Sequence, residues 1–212
     1  SPSFFQVNTT QAEAVAERVR QRLALSGQET VVDAYAGVGT FAVLLAPYAR
    51  KIIAVEEAAS AIEDARENIR GLASVELVQG KVEEVLGTLP ERPEAAVLDP
   101  PRTGCQMAAL KALLFRPPRR LVYVSCDPQS LARDMQVLCH GPFRVEEVLP
   151  VDLFPQTHHV ECIATLAWDQ AKEAAFQARQ RLVLASESPR RREILSSMGL
   201  AFQAMPPSIA EP

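Results

Sequence analysis

A cysteine at the end of one apolar run and a glutamate at the start of another are the residues here best suited to chemistry. Val122-Tyr123-Val124-Ser125-Cys126-Asp127-Pro128 is a β-branched, apolar stretch that stops at a thiol and an Asp-Pro break. The stretch predicts a buried strand, and the carboxyl end of such a strand is where open α/β sheets hold ligands. Thr157-His158-His159-Val160-Glu161 is a polar link that brings a carboxylate to the start of Cys162-Ile163-Ala164-Thr165-Leu166. A thiol nucleophile and a carboxylate base at one sheet edge suffice for covalent catalysis. Each residue alone has a plainer reading: cysteine is more often a buried structural thiol, and glutamate a surface carboxylate. Position shifts the weighting for Cys126, because a helix opened by Pro128 follows and a helix N-terminus favours thiolate. His158 and His159 lack further partners at metal-ligand spacing, so no metal is expected and loop polarity or substrate contact is their role.

A second constellation lies upstream. Asp33-Ala34-Tyr35-Ala36-Gly37-Val38-Gly39-Thr40 joins an apolar run to a helical pattern. Gly37 and Gly39 let backbone approach a ligand, and the helix start offers free N–H groups. A GxG alone is weak, since many strand-helix turns use glycine for geometry only. Val55-Glu56-Glu57 ends the next strand with an acid placed to accept both hydroxyls of a ribose. The plainer alternative makes Glu56 a cap of the following helix. Phe41-Ala42 stand where a dinucleotide fingerprint has its third glycine, which favours an adenosyl cofactor without a pyrophosphate. Leu98-Asp99-Pro100-Pro101-Arg102 supplies a rigid, extended edge that holds Asp99 toward the site. Arg102 is suited to phosphate or to a carboxylate partner.

The elements that must position these residues alternate regularly. A leading amphipathic helix is predicted over Thr10 to Leu25, and strands over Thr30 to Ala34, Lys51 to Val55, Val75 to Val78, Ala95 to Leu98 and Leu121 to Val124. Helices fit between them at Thr40 to Ala49, Ala58 to Gly71, Val82 to Leu86, Met107 to Leu114 and Pro128 to Leu138. Phe143 to Leu149 and Val160 to Leu166 form a closing pair of strands without a helix between them. The pattern predicts an α/β fold with a mostly parallel sheet covered on both faces and an antiparallel edge. A polar helical stretch, Trp168 to Arg181, reads as a linker. A strand at Leu182 to Ala185, a helix at Pro189 to Met198 and an extended piece at Ala201 to Met205 start afresh after it.

Composition narrows the class. The 212 residues are 48% hydrophobic and 23% charged, which suits a globular α/β domain with a remnant of a second. A formal charge of −4 argues against a generally basic surface that coats nucleic acid, but leaves room for a local patch. Ser1-Pro2-Ser3-Phe4-Phe5 has no basic n-region, and no stretch is long and apolar enough to span a bilayer. Cys105, Cys126, Cys139 and Cys162 form no CxxC pair and suit a reducing compartment, so a cytoplasmic location is expected.

The ordered motifs closely resemble the S-adenosylmethionine-dependent RNA 5-methyluridine methyltransferases. They are Ser3-Phe4-Phe5-Gln6-Val7-Asn8, the turn from Asp33 to Phe41, Leu98 to Arg102, Ser125-Cys126-Asp127-Pro128 with Leu131-Ala132-Arg133-Asp134, and Phe154-Pro155-Gln156-Thr157-His158-His159-Val160-Glu161. Each is modestly specific, and their order is very specific. The resemblance covers residues 3–167 and implies a Rossmann-like, seven-stranded class I methyltransferase sheet. It implies S-adenosyl-L-methionine as cofactor, with Gln6, Tyr35, Thr40, Glu56 and Asp99 lining its site. Cys126 is the implied nucleophile and Glu161 the implied general base. Lys81 departs from the acidic or amide residue usual after the third strand. The implied partner is RNA, ribosomal or transfer, and a monomer is expected. Family members carry an N-terminal β-barrel RNA-binding domain and a central domain, so the chain is expected to be a catalytic piece without them.

Leu182-Val183-Leu184-Ala185-Ser186-Glu187-Ser188-Pro189-Arg190-Arg191-Arg192-Glu193-Ile194-Leu195 resembles the opening motif of the Maf-type nucleoside triphosphate pyrophosphatases. The expected organisation is a methyltransferase domain over 1–168, a linker helix over 169–180 and a truncated Maf-like segment over 181–212. Two other readings compete with uracil-C5 methylation: nucleotide hydrolysis by the tail, and a catalytically silent RNA-binding remnant. The missing downstream acid argues against the first, and the intact Cys126 and Glu161 against the second.

Overall fold

The computed structural model describes residues 9–90, 92–151, 161–179, 182–184, 189 and 202–204. It divides into two compact units, Ser1–Asp169 and Gln170–Pro212. In the first, seven strands form one sheet: β1 (Thr30–Ala34), β2 (Lys51–Glu56), β3 (Val75–Gln79), β4 (Ala95–Leu98), β5 (Arg120–Ser125), β6 (Phe143–Val151) and β7 (Glu161–Trp168). Their order is β3-β2-β1-β4-β5-β7-β6. The first five run parallel, and β7 inserts antiparallel between β5 and β6. This is the expected Rossmann-like α/β sheet. The strand order reverses at β1, between β2 and β4, and crevices at such reversals receive ligands.

The period of two decides the faces. Val31, Ala95, Val97, Val122 and Val124 turn to one side, where they join a core with Ile52, Ala54 and Ile163. Helix α1 (Thr9–Leu23) supplies Val15, Val19 and Leu23 to that core, one turn apart on one face, and packs on β4 and β5. Alternate residues, Val32, Leu98, Leu121 and Tyr123, are equally buried on the other side. Strands buried on both faces read as continuous apolar runs, as these do.

Several helices end earlier than their patterns predict. Helix α2 (Thr40–Leu45) gives way to a 3-10 turn at Ala46–Tyr48, because Pro47 lacks an N–H and crowds the preceding turn. Helix α3 (Ala59–Asn68) stops at Ile69, and Gly71 takes φ +85° in the turn that follows. Trp168 closes β7 rather than opening a helix. Helices α4 (Val82–Thr88), α5 (Met107–Phe115) and α6 (Pro128–His140) complete the unit. Pro128 opens α6, and the Asp127 carboxylate caps it by accepting the Ser130 N–H at 2.7 Å.

In the second unit, α7 spans Gln170–Arg179, and β8 (Leu182–Leu184) pairs in parallel with β9 (Phe202–Ala204). Of the helix expected at Pro189 to Met198, residues 190–198 lie outside the described residues. No helix among the described residues is long and apolar enough to cross a membrane.

Candidate active site

The strand order brings chemistry from distant sequence to one edge. Glu56 ends β2, Asp33 lies one residue from the end of β1, Asp99 follows β4, and Cys126 follows β5. Because β7 is antiparallel, its first residue, Glu161, reaches the same edge. Ser125 pairs with Cys162 in that ladder, so Cys126 and Glu161 occupy the next register position. The charges of Glu161, Arg102 and Asp99 all act on the Cys126 thiol. Those residues therefore share one end of the sheet. Gln6, His158 and His159 lie outside the described residues.

The turn after β1 is shaped for close approach. Gly37 and Gly39 adopt φ +55° and +83°, which glycine reaches without strain, and Tyr35 adopts +63°. Such a conformation in tyrosine costs on the order of 1–3 kcal/mol and is typical of functional turns. A Cβ at Gly37 would meet nothing within 4 Å, so the backbone there faces open space. The Gly37 N–H donates to Glu56 at 2.9 Å, and the Ala58 N–H donates to the other oxygen of the same carboxylate at 2.8 Å. Glu56 thus pins the glycine turn to the end of β2, and each oxygen keeps a lone pair for a ligand hydroxyl. Thr40 opens α2 and is exposed. Tyr35, Glu56, Lys81, Asp99, Gly104 and Gln106 line one cleft of about 790 Å³. The volume suits a nucleoside-sized ligand.

Electrostatics at this edge run against ionised acids. Burial first, then the charge of Asp99, pushes Asp33 up to about 8, although the Ala42 N–H bonds one oxygen at 2.9 Å. The other Asp33 oxygen is buried without a hydrogen-bond partner. Burial, then Glu161, pushes Asp99 up to about 7. Burial also raises Glu161, which Arg102 partly offsets. The Cys126 thiol is raised as well, by burial and then by Glu161, against Arg102. This corrects the expectation that the helix N-terminus would favour thiolate. Cys126 precedes the cap of α6, and burial beside a carboxylate outweighs the helix. The turn motif alone assigns Asp33 no role; the signal for it is a lone acid inside an apolar strand.

A family model described as tRNA (Uracil-5-)-methyltransferase matches residues 1–168. The chain belongs to that family. Relatives of the chain include proteins named as uncharacterized RNA methyltransferases from Oceanobacillus iheyensis, 41% identical over 169 residues, and Gloeobacter violaceus, 45% identical over 166. Each match covers 77% of this chain but only 37% and 36% of those relatives. Among solved structures, the tRNA (uracil-54, C5)-methyltransferase of Pyrococcus abyssi, in complex with S-adenosyl-L-homocysteine, is 34% identical with a TM-score of 0.68. The match covers 78% of this chain and 40% of that one. A precorrin-6y C5,15-methyltransferase of Geobacter metallireducens, at 17% identity and a TM-score of 0.65, shares the fold.

The raised carboxylates carry a sign that can be checked. Between the ordinary aspartate range and pH 8, folded Asp33 holds a proton that the unfolded chain has lost. Stability contributed by protonated Asp33 is therefore lost as pH rises across that interval. Denaturant melts from pH 5 to 8.5 should show stability falling with pH in the wild type, and a shallower slope in Asp33→Asn. Equal slopes in the two proteins would place Asp33 outside the linkage.

Proposed function

We propose that this chain carries the methyl-transfer chemistry of an RNA (uracil-C5-)-methyltransferase that uses S-adenosyl-L-methionine. The observation that carries the reading is the antiparallel register that ends β5 at Ser125 opposite Cys162. Cys126, just after β5, and Glu161, first in β7, thus follow at the same end of the sheet, next to a cleft that can hold a nucleoside. Membership of the family and the ligand of the Pyrococcus structure support the cofactor. The cleft fits it on its own terms. Glu56, Glu57 and Asp99 line the cleft and favour a ligand with ammonium and sulfonium charges, and the open backbone at Gly37 admits close approach. Glu56 would hold the ribose, while Tyr35, Asp99 and the 37–40 turn would surround the remainder. Residues 169–180 would then be a linker helix, and 181–212 a separate Maf-like segment.

Bound S-adenosylmethionine supplies an electrophilic methyl group. The residues of this chain would make the acceptor nucleophilic, which uracil C5 is not by itself. The Cys126 sulfur adds to C6 as the thiolate, the thiol proton having first gone to solvent, and the ring π pair moves through C5 toward the C4 carbonyl as an enolate. C5 then carries the density that accepts a methyl group. Glu161 removes the C5 proton, the C5–C6 double bond re-forms, and the sulfur leaves as thiolate. Burial that raises Glu161 strengthens it as a base for that carbon-bound proton. The base must leave its stack to reach the thiol, which loops of transfer or ribosomal RNA permit.

Removing each residue should stop a different step. Cys126→Ala should abolish both turnover and covalent RNA complex. Glu161→Gln should permit attack and methylation but stall elimination, so that a methylated protein–RNA adduct accumulates on denaturing gels. Normal turnover by Glu161→Gln would remove Glu161 as the base. Glu56→Ala should weaken S-adenosylhomocysteine binding by about 1–3 kcal/mol, since a bond to a charged acceptor is lost. Unchanged calorimetric affinity would exclude Glu56 from the site.

A further inference from the structure

One buried carboxylate ties the cleft's loop wall to the helix that follows the candidate nucleophile. Asp134, in α6, is fully buried. Its Oδ2 accepts the Tyr123 hydroxyl at 2.6 Å and the Cys105 backbone N–H at 2.7 Å. Its Oδ1 accepts both Nε and Nη2 of Arg133, at 2.9 and 2.7 Å. The same Arg133 Nη2 donates to the Thr103 carbonyl at 2.8 Å. Three elements thereby meet at a single side chain: β5 through Tyr123, α6 through Asp134 itself, and the loop after Asp99 through Thr103 and Cys105.

That loop is a wall of the cleft. Pro101, Gly104, Gln106 and Met107 all face it. The fit against the carboxylate is tight enough to dictate sequence. Gly104 takes φ +77°, and a Cβ there would lie 2.5 Å from Arg133 Nη2 and 2.6 Å from Asp134 Oδ2. Meanwhile β5 and α6 flank Cys126, so the carboxylate also fixes the two elements between which the thiol sits.

We propose that Asp134 is a positioning residue for methyl transfer. It holds the 101–106 loop against β5 and α6, so that the cofactor wall and the Cys126 turn keep one fixed relation. This rests on the cofactor reading above. The acceptor count explains why an acid is needed. Asparagine offers one acceptor oxygen and one donor amide, so in either orientation its amide faces a donor, Arg133 on one side or Tyr123 and the Cys105 N–H on the other. The loop is then released while the apolar packing of α6 through Leu131, Met135 and Leu138 remains.

The test is calorimetric titration of S-adenosylhomocysteine into the whole chain, well below each variant's melting temperature. Asp134→Asn should raise Kd by about tenfold or more, the scale of lost bonds to a charged group. Gly104→Ala changes no hydrogen-bonding group and should raise Kd in the same direction by displacing the loop. Leu138→Ala, a buried position in α6 away from the clamp, should lower the melting temperature and leave Kd unchanged. Wild-type affinity in both Asp134→Asn and Gly104→Ala would overturn the positioning role, as would an equal loss in Leu138→Ala. Failure of the wild-type chain to bind S-adenosylhomocysteine would defeat the cofactor reading itself, a result distinct from either.

Discussion

Acidic groups crowd the carboxyl edge of the sheet, where Asp33 is fully buried and Glu56, Asp99 and Glu161 are half-buried. Glu56, Asp33, Asp99 and Glu161 arrive there from β2, β1, β4 and β7, with Cys126 from β5 among them. Burial first, and the neighbouring carboxylates second, push Asp33 up to about 8 and Asp99 up to about 7, so keeping these acids ionised carries a cost. A fold retains such strain where a ligand relieves it. A cation at this edge would offset the repulsion, and the positively charged methyl donor is such a cation. The arrangement also disfavours free thiolate at Cys126 when nothing is bound.

The rest of the fold serves that edge. Parallel β1, β2 and β4 deliver carboxylates at their C-terminal ends, and Pro100 and Pro101 stop β4 so that Asp99 stays at the rim. The decisive step is the antiparallel insertion of β7. A parallel β7 would have placed Glu161 at the opposite edge, far from Cys126. The second anchor is local: the Glu56 carboxylate holds the Gly37 N–H and so fixes the glycine turn. Behind both lies the Asp134 cluster, which fastens the loop after Asp99 to the helix after Cys126.

Much of this was legible in the sequence because the signals are local. Apolar runs ending at Asp-Pro, Pro-Pro or Gly-x-Gly mark strand ends within a residue or two, which singles out Cys126, while Glu161 is singled out by the polar link before it and the apolar run it opens. What was illegible depends on contacts distant in sequence. Nothing local says that β7 lies between β5 and β6, or that Cys105 donates its N–H to Asp134. The thiol's direction of shift failed for the same reason. A helix start is visible in Pro128, but burial beside Glu161 is a property of the assembled edge. Pro47 shows the reverse case, a local signal that cut a helix short inside an apolar pattern.

The central claim is covalent attack by one particular thiol, and it can be read by mass. RNA carrying 5-fluorouridine at the target position should trap the enzyme in the presence of S-adenosylmethionine, because fluorine cannot leave C5 as a proton does. Digestion of the trapped complex with protease and nuclease, followed by mass spectrometry, should place a methylated 5-fluorouridine on the peptide containing Cys126. Methylated RNA recovered with no protein-linked nucleotide, or the nucleotide attached at Cys105, Cys139 or Cys162, would contradict the account.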